Sequence, residues 1–494
     1  MTGRGATTSG EDRTGRPGLD WGTDPDLSPF EIVMWRADVD RRLRSTMMAV
    51  EVLDAAPDWD RLVAALRWAV RMVPRLRDRV AAPLWGAGTP RWEPDPDFDL
   101  HRHARRIALP GPGSWTTLLE TAEQIAMTPL DPRRPLWEAV LVEGLEGGRA
   151  ALLIKFHHAL GDGLGITQLL SGLHSRTRAH TEDKPWPPVP EVTATETVAG
   201  ALARQAREDA VAAGSALGSL ARSAGRGLGD LVRRPATSTR AAVGWLASAR
   251  RVLSPPEAPP LPLLATRNGS WRFRTLDVEL ADLRSAAKAV DGSLNDAYLA
   301  ALLGAFRRYH GEMGRPIGQA TTMPVSVPVS VRRAADDAGG NRFAPGRLAA
   351  PVGIVAPDAR MAAVSAAMRR VRAEPALESA DILTPLLARL PGALVAELAG
   401  DMTPRNDLQA SNVPGLREDV FLAGARIERI YPFAPLPGCA AMITLLTHGT
   451  TCCIGANLDA AAVREPDLFA RCLADGFTEV LALGGGTATP IMRS

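Results

Sequence analysis

Apolar positions along this chain recur with two periods, and the places where the period changes mark its elements. From Trp59 to Val73 they fall at helical spacing, with Asp58 placed to cap the first turn. Leu136 to Glu143 and Arg149 to His157 are strand-like runs joined by Gly144-Leu145-Glu146-Gly147-Gly148, which predicts a hairpin. Past Gly163, residues Ile166, Leu169, Leu170 and Leu173 fall at i, i+3, i+4 and i+7, one face of an amphipathic helix. The local order is strand, glycine turn, helix. Residues 185–192 are proline-rich and break the pattern. Thr195 to Leu253 is rich in Ala, Arg, Leu and Gly and reads as helices between two globular parts, closed by five prolines from Pro255 to Pro262. The second part opens with a strand at Trp271 to Leu280. A helix begins at Leu294, with Ala297, Tyr298, Ala301, Leu302 and Ala305 on the same face. Met323 to Val331 is strand-like, and Pro324 and Pro328 assign it to an edge or a bulge. The last helix is predicted from Pro466 to Leu483.

With 494 residues the chain is long enough for at least two domains, and an apolar content of 46% supports a large core. Net charge is +2, so composition carries no nucleic-acid signal. Cys439, Cys452, Cys453 and Cys472 have no metal-site spacing and read as small buried hydrophobes in a reducing compartment. Residues 1–26 lack the apolar core of a signal peptide and read as a disordered tail. No run approaches the ~20 apolar residues of a membrane span. The expectation is a cytoplasmic protein, soluble or peripheral at the inner membrane face or a lipid droplet.

The chemistry concentrates at His157-His158-Ala159-Leu160-Gly161-Asp162-Gly163. An imidazole is well suited to take a proton from an alcohol near neutral pH. Strand alternation sends His157 and His158 to opposite faces, so one can meet a reaction channel while the other packs inside. That divergence makes a shared metal awkward. The glycines around Asp162 imply a sharp turn that its carboxylate could fix by local hydrogen bonds, with Gly163 serving turn geometry or close approach of substrate.

The pattern HHxxxDG resembles the signature of the CoA-dependent acyltransferase superfamily, which includes chloramphenicol acetyltransferase, carnitine acyltransferases and peptide-synthetase condensation domains. Pro129-Leu130-Asp131 and Arg134-Pro135-Leu136-Trp137-Glu138 precede it. Asn295-Asp296, Gly340-Asn341-Arg342-Phe343 and Ser411-Asn412-Val413-Pro414-Gly415 follow in order. From about Leu27 to about Leu483 the set is similar to the bacterial wax ester synthase/diacylglycerol acyltransferase family. The resemblance implies an α/β fold of two chloramphenicol-acetyltransferase-like domains with mixed sheets. A tail (1–26), an N-terminal domain (27–184), a proline-rich and helical linker (185–262) and a C-terminal domain (263–494) would follow one another. It implies that His158 is the general base, that His157 is structural, and that Asp162 turns away to hold the loop by an ion pair. Fatty acyl-CoA would be the co-substrate, diacylglycerol or a fatty alcohol the acceptor, and no metal or other cofactor would be needed. The same fold acting on another alcohol or amine, or a catalytically weak lipid-binding protein, stands as the alternative.

Two places carry two readings, and a third departs from the family pattern. Ser293 to Asp296 looks like a capping box, which alone explains Asp296, whereas the family sets Asn295 near the histidine as an oxyanion donor. Thr195 to Leu253 holds nine arginines against four acidic residues and is either a packed linker or a helix on a lipid surface. Met442 and Ala460-Ala461 stand where the family usually has asparagine and an arginine-aspartate pair, which bears on acceptor or acyl-chain preference.

Overall fold

The computed structural model describes residues 21–82, 89–180, 258–330, 343–373, 388–390, 392–402, 406–486 and 489–493, with isolated positions between 184 and 207. The first half supplies strands β1 (Thr46–Leu53), β2 (Asp78–Ala81), β3 (Arg91–Pro94), β4 (Ala104–Ala108), β5 (Trp137–Leu145) and β6 (Arg149–His157). Its helices are α1 (Pro29–Ala37), α2 (Trp59–Met72), α3 (Leu100–His103), α4 (Trp115–Met127) and α5 (Gly163–Leu173). The second half supplies strands β7 (Trp271–Glu279), β8 (Met323–Ser330), β9 (Phe343–Ala350), β10 (Leu408–Val413), β11 (Phe421–Leu422), β12 (Ala425–Phe433), β13 (Ala441–His448), β14 (Thr451–Asp459) and β15 (Ile491–Met492). Its helices are α6 (Leu280–Lys288), α7 (Leu294–Glu312), α8 (Pro357–Arg372), α9 (Gly392–Met402) and α10 (Pro466–Leu481).

Two mixed sheets carry the molecule, one ordered β11-β12-β1-β6-β5-β4 and the other β15-β7-β14-β13-β10-β8-β9. The α/β class with mixed sheets is as the sequence implies. Every residue of β1 is buried because both faces of the first sheet are covered. Met47, Ala49 and Leu53 face a core shared with α2 and α5. Met48, Val50 and Val52 face a second core shared with α4 and with Trp271, Phe273, Tyr431, Phe433 and Cys453. That second core joins the halves: Phe273 and Phe433 stack with ring centroids 3.9 Å apart, and Trp115 Nε1 donates to Thr275 Oγ1 at 2.9 Å. Glu123 of α4 accepts the Phe273 N–H of β7 at 2.7 Å. A third core lies under α7 and α10 on the other face of the second sheet.

Several boundaries differ from those read in the sequence. The tail ends sooner than residue 26: Trp21 is 3% exposed and Leu27 is buried, because the indole finds a carbonyl and an apolar seat on α5. The second half is not self-contained, since β12 pairs antiparallel with β1 from Met48↔Phe433 to Leu53↔Ile427, completing the first sheet. Packing into the third core already begins at Leu261 and Leu264, before residue 263 and just after it. Strand β8 is interior, between β10 and β9, although β10 pairs with it only at Val325 and Ser326. Pro328 falls where β10 has already left, so its missing N–H costs no ladder bond. Ser411 to Val413, read from the sequence only as part of a motif, are the end of β10, in parallel register with Thr444 to Leu446. The Thr195 to Leu253 segment, Gly340 to Arg342 and residues 1–20 lie outside the described residues, apart from a few positions near 200–207.

Candidate active site

Strand β6 ends at His157, and a single 3₁₀ turn, His158–Leu160, leads to α5. The two histidines stand on different elements, His157 at the end of the strand and His158 at the start of the 3₁₀ turn. His157 is buried, its Nδ1 accepts the Ala159 N–H at 3.0 Å, and its Nε2 faces Asp38 Oδ1 at 3.4 Å. A nitrogen that accepts an N–H is unprotonated, so in the neutral ring the proton sits on Nε2, toward the carboxylate. Asp38 closes α1 and also takes the Ser45 N–H at 2.7 Å. His158 is half-buried, and its backbone N–H donates to Ser45 O at 2.7 Å. Asp38 and Ser45 therefore hold both histidines, one through its ring and the other through its backbone.

Asp162 is the N-cap of α5, its Oδ1 accepting the Gly165 N–H at 2.7 Å. This is the local hydrogen bond expected from the flanking glycines, and it caps the helix end. Gly161 is packed on Trp21, where an added Cβ would stand 3.2 Å from the indole, and Trp21 Nε1 donates to Gly165 O at 2.9 Å. Gly163 meets Val413: an added Cβ would stand 2.9 Å from Val413 Cγ2, too close for any other residue without a shift. Close approach, not positive φ, is the demand here, and the approaching strand is β10 of the second half. The same strand leaves through Gly415, where a Cβ would meet Thr447 O at 1.9 Å. His157, His158, Asp162 and Gly163 thus gather on one turn, at the seam between the two halves.

Asn295 and Asp296 stand at the first turn of α7 in the second half. Asp296 is spent on the capping box: Ser293 Oγ accepts its N–H at 3.2 Å and its Oδ2 accepts the Ser293 N–H at 2.8 Å. Asn295 is half-buried, and no hydrogen bond links it to the histidine turn among the described residues. Met442 is buried in the core between the halves. Asp459 accepts the N–H groups of Asn268, Gly269, Ala461 and Ala462, so Ala460 and Ala461 lie in a turn organised by that carboxylate. Asp38 and Trp21 are the contributors that sequence reasoning missed. A lone aspartate after a helix and a tryptophan in a Gly/Asp-rich stretch carry no pattern of their own.

Comparison with known proteins fits this arrangement. The model of the wax ester synthase/diacylglycerol acyltransferase catalytic domain matches residues 27–298, and that of the family's C-terminal domain matches residues 339–480. A Mycobacterium tuberculosis protein provisionally named a diacylglycerol O-acyltransferase is 41% identical over 469 residues, 94% of either chain. Among solved structures, the wax ester synthase/diacylglycerol acyltransferase from Marinobacter aquaeolei VT8 superposes with a TM-score of 0.62 at 20% identity, covering 93% of this chain and 100% of that one. The first condensation domain of the CDA synthetase does so with a TM-score of 0.56 at 18% identity, covering 96% and 100%. These two likenesses concern the fold. The identity and coverage of the mycobacterial relative, with the two matched domains, place the chain: it belongs to the wax ester synthase/diacylglycerol acyltransferase family and is an acyltransferase.

Proposed function

We propose that the chain transfers a fatty acyl group from acyl-CoA to the hydroxyl of a diacylglycerol or a long-chain alcohol, with His158 as general base. The supporting observation is the division of labour between the two histidines. His157 is buried and hydrogen-bonded into the fold, whereas His158 is half-buried on the turn between β6 and α5, which supports assigning the base to His158. His158 takes the hydroxyl proton while the oxygen attacks the thioester carbonyl. The tetrahedral oxyanion collapses, the C–S bond breaks, and the imidazolium returns its proton to the leaving thiolate of CoA. No covalent enzyme intermediate, metal or redox cofactor is needed, because holding both substrates together supplies much of the rate. Asn295 is proposed as a donor to the oxyanion. Acceptors and products of this kind are insoluble in water, so the protein would work at a lipid surface or droplet. Among the described residues no helix is long and apolar enough to cross a membrane.

The test mixes purified protein with palmitoyl-CoA and a diacylglycerol, a long-chain alcohol or an amine, and follows thiol release. Wild type should turn over with the first two. His158→Ala should lose about 10²- to 10⁴-fold in rate with an unchanged melt. A near wild-type rate in that variant would withdraw the base assignment, and release with the amine alone would withdraw the acceptor.

A further inference from the structure

Beyond the C-terminal end of α5 lies a cavity of about 230 Å³ that His158 does not line. Helix α2 contributes Arg61 and Trp68, the chain after α5 contributes His180, Lys184 and Trp186, and the β11–β12 turn contributes Gly424. The lining holds two full cations and an imidazole. Among the described residues it holds no carboxylate.

Among the described residues neither cation has a carboxylate partner. Arg61 reaches the Arg178 carbonyl, at 3.5 Å, and its Nε is buried with no acceptor among those residues. Lys184 Nζ sits 4.6 Å from the centroid of the Trp68 ring, and burial, with Arg61 adding to it, holds the ammonium below its ordinary range. The carboxylate at this corner, Asp54, is occupied by Arg178 and by the Arg426 N–H. The fold has also made room for the arginine. Gly424 has φ +91°, and a Cβ there would stand 2.6 Å from Arg61 Nη1.

Two half-buried cations facing one cavity repel each other, and an anion held between them relieves that repulsion. The indole faces exclude the opposite ligand. Lys184 lies over Trp68 and Arg71 lies over Trp186 at 4.6 Å, so a further cation at these rings would meet like charge. The volume is below the ~300–1,000 Å³ typical of sites that enclose a whole drug-sized ligand, and so suits the head of a larger molecule. We propose that this cavity is a binding site for a phosphate group carried on an organic molecule, with Arg61 and Lys184 as its ligands and the indole edges beside the organic part. The same chemistry is offered by a soluble nucleotide phosphate and by a phospholipid head.

The test titrates the full-length protein with inorganic phosphate, with adenosine 3′,5′-bisphosphate, and with phosphatidylcholine vesicles containing or lacking phosphatidate. Binding is read by calorimetry and vesicle flotation. Wild type should bind at least one phosphate probe saturably. The paired variant Arg61→Gln, Lys184→Gln should weaken it about tenfold or more, while Arg133→Gln, on the open surface, should not. Bisphosphate binding without vesicle binding assigns a nucleotide, and the reverse assigns a lipid head. Lys184→Gln alone, on a segment outside the helices, should lose part of the affinity and guards against misfolding of the pair. Absence of saturable binding by wild type, or equal affinity in wild type and the variants, would overturn the proposal. None of these readouts involves turnover, so the result is independent of His158.

Discussion

Asp162 shows how one carboxylate beside a histidine is assigned by geometry. Its Oδ1 accepts the Gly165 N–H at 2.7 Å, which makes it a helix cap. Asp162→Ala should therefore cost about 0.5–2 kcal/mol of stability, whereas asparagine, an equally good cap, should restore most of it. Urea unfolding of the three proteins, with turnover per folded molecule, separates the possibilities. Equal stability of the alanine variant and wild type would remove the cap. An asparagine variant that is stable but inactive would point to the charge itself. That one of the two adjacent histidines packs inside was legible in the sequence, and it is His157 that is buried, although the strand ends there and His158 already belongs to the 3₁₀ turn. Asp38 was not, because its contact with His157 is 119 residues away in sequence (157 minus 38) and follows from how α1 lies on the 3₁₀ turn after β6.

Elements with a local signature were the ones the sequence exposed. The β5–β6 hairpin, α2 with its Asp58 cap, and the capping box of α7 all rest on neighbours within a few residues. The place of β12 was hidden, because alternation in Ala425 to Phe433 does not say which sheet it joins. Its seat is made by a glycine on the facing strand: a Cβ on Gly455 of β14 would stand 2.0 Å from Pro432 O. Gly455→Ala must push β12 away from β14 and disturb the Phe273–Phe433 stack beside it. Overpacking of this kind costs about 1–3 kcal/mol or more. The expected outcome is a lower denaturation midpoint with an unchanged slope. An unshifted midpoint would mean that the two strands are not held at this spacing in solution.

At the scale of the whole molecule, the exchange of β12 makes two similar halves into one folding unit. Without it, the first sheet would present β1 as a bare edge and lose Tyr431 and Phe433 from the core between the halves. Calorimetry of the intact chain should give one cooperative transition, and residues 21–180 produced alone should show none. Two resolved transitions, or a cooperative melt of the fragment, would contradict this. The shared strand also sets a clock during synthesis. Leu53 and Ala425 are 372 residues apart (425 minus 53), about 20 to 75 s of translation at ordinary bacterial to eukaryotic speeds. From the synthesis of β6 and the turn after it until Val413 and then Ala425 appear, the nascent chain holds an open β-edge beside a turn that lacks its closing residue. The protein is thus most exposed to misassociation, and furthest from activity, while four-fifths of it already exists.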